Sequence, residues 1–205
     1  MTPIQNETKL SYVFPGQGSQ SVGMGAQLFV ESAAAKEVFQ EADEILNYSL
    51  SDLMFNGPEN ELRDTINSQP ALMVVSLACW KAWEEFLGAG LKPPQSIAGH
   101  SLGEYTALVV SGVLSFSDGL LLVKERGRLM QEASVERPGG MAAILGLDED
   151  SLEHVCSETG VELANINSDD QMVISGEKIA VAQAMDLCIA RGAKKAIPLP
   201  VSGAF

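Results

Sequence analysis

Two hydrophobic rhythms alternate along the first hundred residues. The run Leu10–Phe14 is stopped by Pro15-Gly16 and reads as a short buried strand. From about Ala34 to Leu46 the period is helical, with Ala35, Val38, Phe39, Ala42 and Leu46 on one face. Beyond Gly57-Pro58, Glu59–Ile66 predicts a short helix. Pro70 sits as the first-turn proline of a long apolar helix through Phe86. Gly88, Gly90, Pro93 and Pro94 form a linker into the strand Ser96–Ala98. A helix from Glu104 to about Ser111 and another over Phe116–Glu132 follow. Helices alternating with short buried strands imply a parallel sheet with right-handed crossovers.

After Pro138-Gly139-Gly140 the rhythm changes. Met141–Leu147, Val161–Ile166, Met172–Ser175 and Lys195–Leu199 read as strands, and Glu149–Ser157 and Ile179–Arg191 as helices. That order, β-α-β-β-α-β, is the ferredoxin-like pattern. The expected fold class is therefore α/β, with residues 1–133 as the N-terminal part of a large α/β domain. Residues 134–200 form an inserted ferredoxin-like subdomain, and 201–205 return to the large domain.

Charge and cysteine content narrow the function classes. Across 205 residues, 13 Lys+Arg against 27 Asp+Glu give a formal charge of −14. A surface that neutralises nucleic-acid phosphates needs the opposite excess, so no nucleic acid is expected as a partner. The opening MTPIQNETKL lacks the apolar core of a signal peptide, and no apolar run approaches the roughly 20 residues that span a bilayer. Cys79, Cys156 and Cys188 suit neither a disulfide framework nor a zinc site, which points to a reducing, cytoplasmic setting. Cys79 and Cys188 read as small core hydrophobes, and Trp80 and Trp83, three apart on a helix, as packing residues.

The segment that carries chemistry is Gly99-His100-Ser101-Leu102-Gly103, a Gly-x-Ser-x-Gly between a predicted strand and a predicted helix. In a nucleophile elbow the two glycines allow a sharp turn that lifts the serine hydroxyl to a helix N-terminus, where backbone N–H groups stabilise an oxyanion. Taken alone, the pattern equally describes a tight-turn serine with no chemistry.

The flanking motifs decide between these readings. Val13-Phe14-Pro15-Gly16-Gln17-Gly18-Ser19-Gln20, Gln69-Pro70-Ala71 and Gly99-His100-Ser101-Leu102-Gly103-Glu104-Tyr105 resemble the malonyl-CoA:acyl carrier protein transacylase family, which includes the acyltransferase domains of fatty acid and polyketide synthases. The likeness continues through Arg126-Gly127-Arg128-Leu129-Met130-Gln131, Gly140-Met141-Ala142-Ala143, Asn165-x-Asn167-Ser168 and Pro198-Leu199-Pro200-Val201-Ser202. It implies a hydrolase-like sheet domain and a two-step exchange. Ser101 takes the malonyl group from malonyl-CoA as an acyl-serine, and the phosphopantetheine thiol of acyl carrier protein collects it. By the same resemblance Gln17 and Leu102 supply the oxyanion-hole amides and Arg126 grips the malonyl carboxylate with its planar guanidinium. His100 is a wall of the site and Met130 lines the acyl pocket.

Plainer roles stand beside these. Arg126, Arg128 and Lys124 fit solvated helix charges, Gln17 a turn cap and Met130 core filler. Asn165 and Asn167 fit turn asparagines bonding their own backbone, and His154 a solvated helix residue. His100 is not expected to reach Ser101 as its base, because adjacent side chains diverge in an elbow. The resemblance puts the catalytic histidine directly after Phe205, so the chain is expected to lack the C-terminal part of the large domain. Phe205 itself resembles the neighbour of that histidine in malonyl-type polyketide acyltransferases. Alternatives kept open are an acyltransferase with another extender, a general serine esterase and an inactive acyl- or CoA-binding fragment. Acyl carrier proteins are typically acidic, so docking calls for a local basic patch, with Arg191, Lys194, Lys195, Lys124 and Arg128 as candidates. Neither a metal nor a bound organic cofactor is implied.

Overall fold

The computed structural model describes residues 9–90, 92–201 and 203–205. Most of the opening decapeptide and Ser202 of the last motif lie outside the described residues. The chain forms two compact units, divided between Arg128 and Leu129.

In the first unit, strand β1 (Ser11–Phe14) pairs in parallel with β2 (Ser96–Gly99), Phe14 opposite Gly99. Among the described residues six α-helices lie wholly within this unit: α1 (Ala26–Glu31), α2 (Ala33–Leu46), α3 (Leu50–Asn56), α4 (Glu59–Arg63), α5 (Thr65–Leu87) and α6 (Gly103–Val110). A seventh, α7 (Phe116–Glu136), begins in it. The predicted face of α2 is the buried one: Ala35, Val38, Phe39, Ala42 and Leu46 pack into the core with Met54, Leu62, Met73 and Leu77. Phe39 anchors an aromatic trio, its ring 5.9 Å from Phe29 and 5.2 Å from Phe55, edge to face. Ser32 caps α2 by accepting from the Ala35 amide.

Three expectations are corrected here. The long helix starts at Thr65, not at Pro70: the Ser68 amide donates to the Asp64 carbonyl at 2.8 Å and closes a first turn ahead of the proline. Pro70 is buried in the second turn, where its missing N–H costs the Ile66 carbonyl its helical donor. Cys79 is exposed rather than in the core. Trp83 is 47% exposed and stacks on the exposed Phe86, whereas Trp80 is half-buried against Tyr12, ring centroids 4.7 Å apart.

The second unit is a four-stranded antiparallel sheet in the order β4-β5-β3-β6, built from β3 (Gly139–Leu145), β4 (Glu162–Ser168), β5 (Gln171–Glu177) and β6 (Lys195–Pro198). Helices α8 (Glu149–Thr159) and α9 (Lys178–Ala190) carry Leu152, Val155, Val181 and Ala184 into one core with Ala142, Ile144 and Ile174 of the sheet. Met141, Ala143 and Val173 point to the other face, where Leu199, Val201 and Phe205 pack on them. This period-two split explains why β3 reads as an unbroken apolar run. Of the C-terminal residues, Val201 and Phe205 pack on this sheet. Asn165 and Asn167 belong to β4, not to a turn, next to two register shifts in its pairing with β5, and the Asn167 amide donates to Gln171 Oε1 at 3.0 Å. Burial pushes the Cys188 thiol up to about 11, with Cys156 nearby adding to the rise, so it stays protonated at neutral pH. Among the described residues no helix is long and apolar enough to cross a membrane.

Candidate active site

Because β1 and β2 run parallel and in register, the loops leaving their C-terminal ends emerge side by side. In open α/β sheets ligands bind at that end. One loop is Pro15-Gly16-Gln17-Gly18-Ser19, the other His100-Ser101-Leu102, and the His100 amide donates to the Phe14 carbonyl at 3.0 Å to tie them together. A Cβ on Gly16 would fall 2.8 Å from both the carbonyl oxygen and Nδ1 of His100, so the exposed imidazole lies over that glycine.

Backbone crowding explains both glycines around the serine. A Cβ on Gly99 would sit 2.0 Å from the Gly103 carbonyl carbon, and one on Gly103 2.2 Å from the Phe14 carbonyl oxygen. Only residues without side chains let helix α6 pass this close to the two strands. The turn puts Ser101 at φ 52, one of two described non-glycine residues with positive φ, a strained setting for serine. Its side chain is exposed, and the turn closes through Gly103 N–H to His100 O at 2.9 Å and Glu104 N–H to Ser101 O at 3.2 Å. Leu102, with its side chain 1% exposed, precedes the first turn of α6, so its amide is among those a helix's own carbonyls do not serve.

Against this hydroxyl stands Arg126 of α7. Its Nη2 donates to Ser101 Oγ at 2.9 Å and its Nη1 to Gln69 Oε1 at 2.5 Å. The guanidinium carbon lies 5.9 Å from the centre of the Tyr105 ring. Gly127 makes the approach possible: a Cβ there would meet the Thr65 carbonyl oxygen at 2.8 Å, so α7 touches the start of α5 beside Gln69. Gln17 joins from the β1 loop, its Nε2 donating to Ser68 Oγ at 3.3 Å, one residue before Gln69. Ser68 and Gln69 are both fully buried.

The structure thus gathers Ser101, Leu102, Gln17, Arg126 and His100 at one end of the parallel strands. Met130 sits half-buried on α7 in the second unit. His154 is exposed on α8, its Nδ1 2.7 Å from the Asp150 carbonyl oxygen. Gln69 and Tyr105 are the members that sequence reasoning missed. The available signal was a glutamine at the head of an otherwise apolar helix, since a buried amide is kept only with hydrogen-bond partners. Most expected docking cations already face an acceptor. Arg191 pairs with Glu158, Lys194 with Asp170 at 3.1 Å and Arg128 with Glu125 at 2.6 Å, while Lys124 lies over Tyr48. The Arg128 pairing holds the exposed Glu125 carboxyl below its usual range. Among the described residues no group of three or more His, Cys, Asp or Glu is set to hold a metal ion.

An α/β chain with this strand–serine–helix turn, the resemblance of its motifs and the comparisons with known proteins agree. The chain belongs to the acyl transferase domain family, whose model matches residues 11–201. It is 48% identical over 199 residues to the malonyl CoA-acyl carrier protein transacylase of Salmonella typhimurium, covering 95% of this chain and 63% of that protein. The protein of the same name in Bacillus subtilis is 48% identical over 203 residues, 97% of this chain and 63% of the relative. Among solved structures, the malonyl CoA-acyl carrier protein transacylase of Coxiella burnetii superposes with a TM-score of 0.90 at 44% identity, over 96% of this chain and 62% of that one. A malonyl-transacylase in complex with its type II polyketide acyl-carrier protein gives a TM-score of 0.90 at 47% identity, over 96% and 64%. The chain spans about 63% of the length of the curated relatives it matches.

Proposed function

We propose that the protein moves a malonyl group from malonyl-CoA to the phosphopantetheine thiol of acyl carrier protein, as a step of fatty acid synthesis in the cytoplasm. The observation that carries this reading is the Arg126 Nη2 to Ser101 Oγ contact at 2.9 Å. A nucleophile alone suits any ester. A guanidinium fixed beside it suits an acyl group that ends in a second carboxylate.

On this reading Gly99–Gly103 is a nucleophile elbow, and the second unit is a ferredoxin-like insertion into a hydrolase-like domain, with 1–133 and 134–200 as the working division. Ser101 Oγ attacks the thioester carbonyl and loses its proton to a general base. Charge collects on the former carbonyl oxygen, where the Leu102 and Gln17 amides stabilise it. Collapse expels the CoA thiolate, which takes up the proton, and leaves malonyl-Ser101. The carrier thiol then repeats the sequence in reverse and restores the serine. His100 shapes the wall beside Gly16. Neither His100 nor His154 serves as the base. The chemistry asks for no metal and no bound organic cofactor. A second reading, malonyl loading for a polyketide carrier, is favoured by the likeness to the type II polyketide transacylase complex.

The test is to incubate the full-length product of the gene with malonyl-CoA, read its intact mass, and then add holo acyl carrier protein. One malonyl adduct, passed on to the carrier, is expected; a folded protein that takes none overturns the reading. Arg126→Ala is expected to lower kcat/KM for malonyl-CoA about a hundredfold while sparing acetyl-CoA, the scale of a lost charge-assisted contact. Arg126→Lys recovers only part, since an ammonium cannot hold both carboxylate oxygens in its plane.

A further inference from the structure

Gln69 is 0% exposed, and its Oε1 receives the shorter of the two hydrogen bonds that Arg126 makes in the site, 2.5 Å against 2.9 Å to Ser101. Arginine side chains carry large rotamer freedom, and this guanidinium stands over a half-buried ring, 5.9 Å away, which fixes it only loosely. The backbone around the contact is far less free. Gly127 brings α7 against the Thr65 carbonyl, and the first turn of α5 is closed ahead of Pro70. The Ser68 hydroxyl next to Gln69 is held in turn by Gln17 Nε2 at 3.3 Å.

We infer that Gln69 is a positioning residue, which sets the Arg126 fork for a carboxylate and thereby determines the preference for carboxylated over neutral acyl groups. This rests on the acyl-transfer reading above. An amide is the residue chemistry that the task calls for. It accepts a hydrogen bond, so Nη1 is anchored, yet it is neutral, so the guanidinium keeps its full charge for the substrate. A carboxylate at the same place would anchor Nη1 equally and cancel the charge the substrate needs. An apolar side chain would leave the charge and release the anchor.

Two variants of the full-length protein separate these contributions. Gln69→Glu keeps the acceptor and cancels the charge; Gln69→Met keeps the volume and removes the acceptor. The readout is the ratio of kcat/KM for malonyl-CoA to that for acetyl-CoA, with circular dichroism and fluorophosphonate labelling of Ser101 reporting the fold. The ratio is expected to fall about tenfold or more in each, through KM for malonyl-CoA, the loss of one charge-assisted hydrogen bond or its electrostatic equivalent. If both substrates fall together, or the ratio holds, Gln69 is merely structural and the inference is overturned. A second measurement needs no transfer at all: malonate ion is titrated against the rate of fluorophosphonate labelling. Protection in the unmodified protein that is lost in Gln69→Glu supports the inference even where malonyl transfer fails. Equal protection in both, or none in the unmodified protein, overturns it.

Discussion

Ser101→Ala is expected to abolish the malonyl adduct and to cut transfer to acyl carrier protein by about a thousandfold or more, the scale seen when a catalytic nucleophile is deleted. Stability should hardly move. The side chain is exposed, its hydroxyl contributes one contact to Arg126, and alanine meets the same backbone angle that serine does. Intact mass after malonyl-CoA, together with urea unfolding, separates the two effects. Full adduct formation in the alanine variant would move the nucleophile elsewhere. A variant that fails to fold would give Ser101 a structural role that its exposure does not suggest.

The second large effect falls on the fold itself. Gly103→Ala places a methyl 2.2 Å from the Phe14 carbonyl oxygen and 2.8 Å from the Pro15 carbonyl oxygen. Both are backbone atoms in the crowded turn, and no rotamer change relieves them. Relief requires α6 to back away from β1, which also moves the serine. The cost is expected to reach about 3 kcal/mol or more, at the upper end for overpacking and a large share of the stability of a small domain. Urea midpoints measure it directly. Gly90→Ala is the matched control: nothing lies within 4 Å of a Cβ there, so it should be near neutral. A Gly103→Ala protein as stable as that control would mean the close approach of helix to strand is not required.

Much of this architecture is legible in the residue pattern, because burial writes itself in periods. The helical face of α2, the apolar run of β3 and the glycines around Ser101 all follow from which side chains leave water or cannot fit. What escaped notice lacks such a signature. Helix α1 has only six residues, too few to display a period even though Leu28 and Phe29 pack on the core, while α3 has seven residues and two buried ones, Leu50 and Met54. The start of α5 was hidden by Pro70, whose first-turn preference outweighed the polar turn Thr65–Gln69 ahead of it. Within the site, Ser101, Arg126 and Gln17 follow from motif and resemblance. Gln69 carries only the weak signal of an amide heading an apolar helix, and its role comes from the crossing of α5 and α7, a contact between residues 57 positions apart.

The φ of 52 at Ser101 also has a consequence for how such a sequence ages. Left-handed backbone costs a residue with a side chain about 1 kcal/mol or more, and glycine almost nothing. The serine is therefore kept against a standing thermodynamic slope. In a copy of the gene freed from transferring acyl groups, a change of Ser101 to glycine would relax the turn, so the chemistry would vanish while the fold gained. Disuse should erase the nucleophile early and leave Gly99 and Gly103, on which the packing still depends, among the last residues to change.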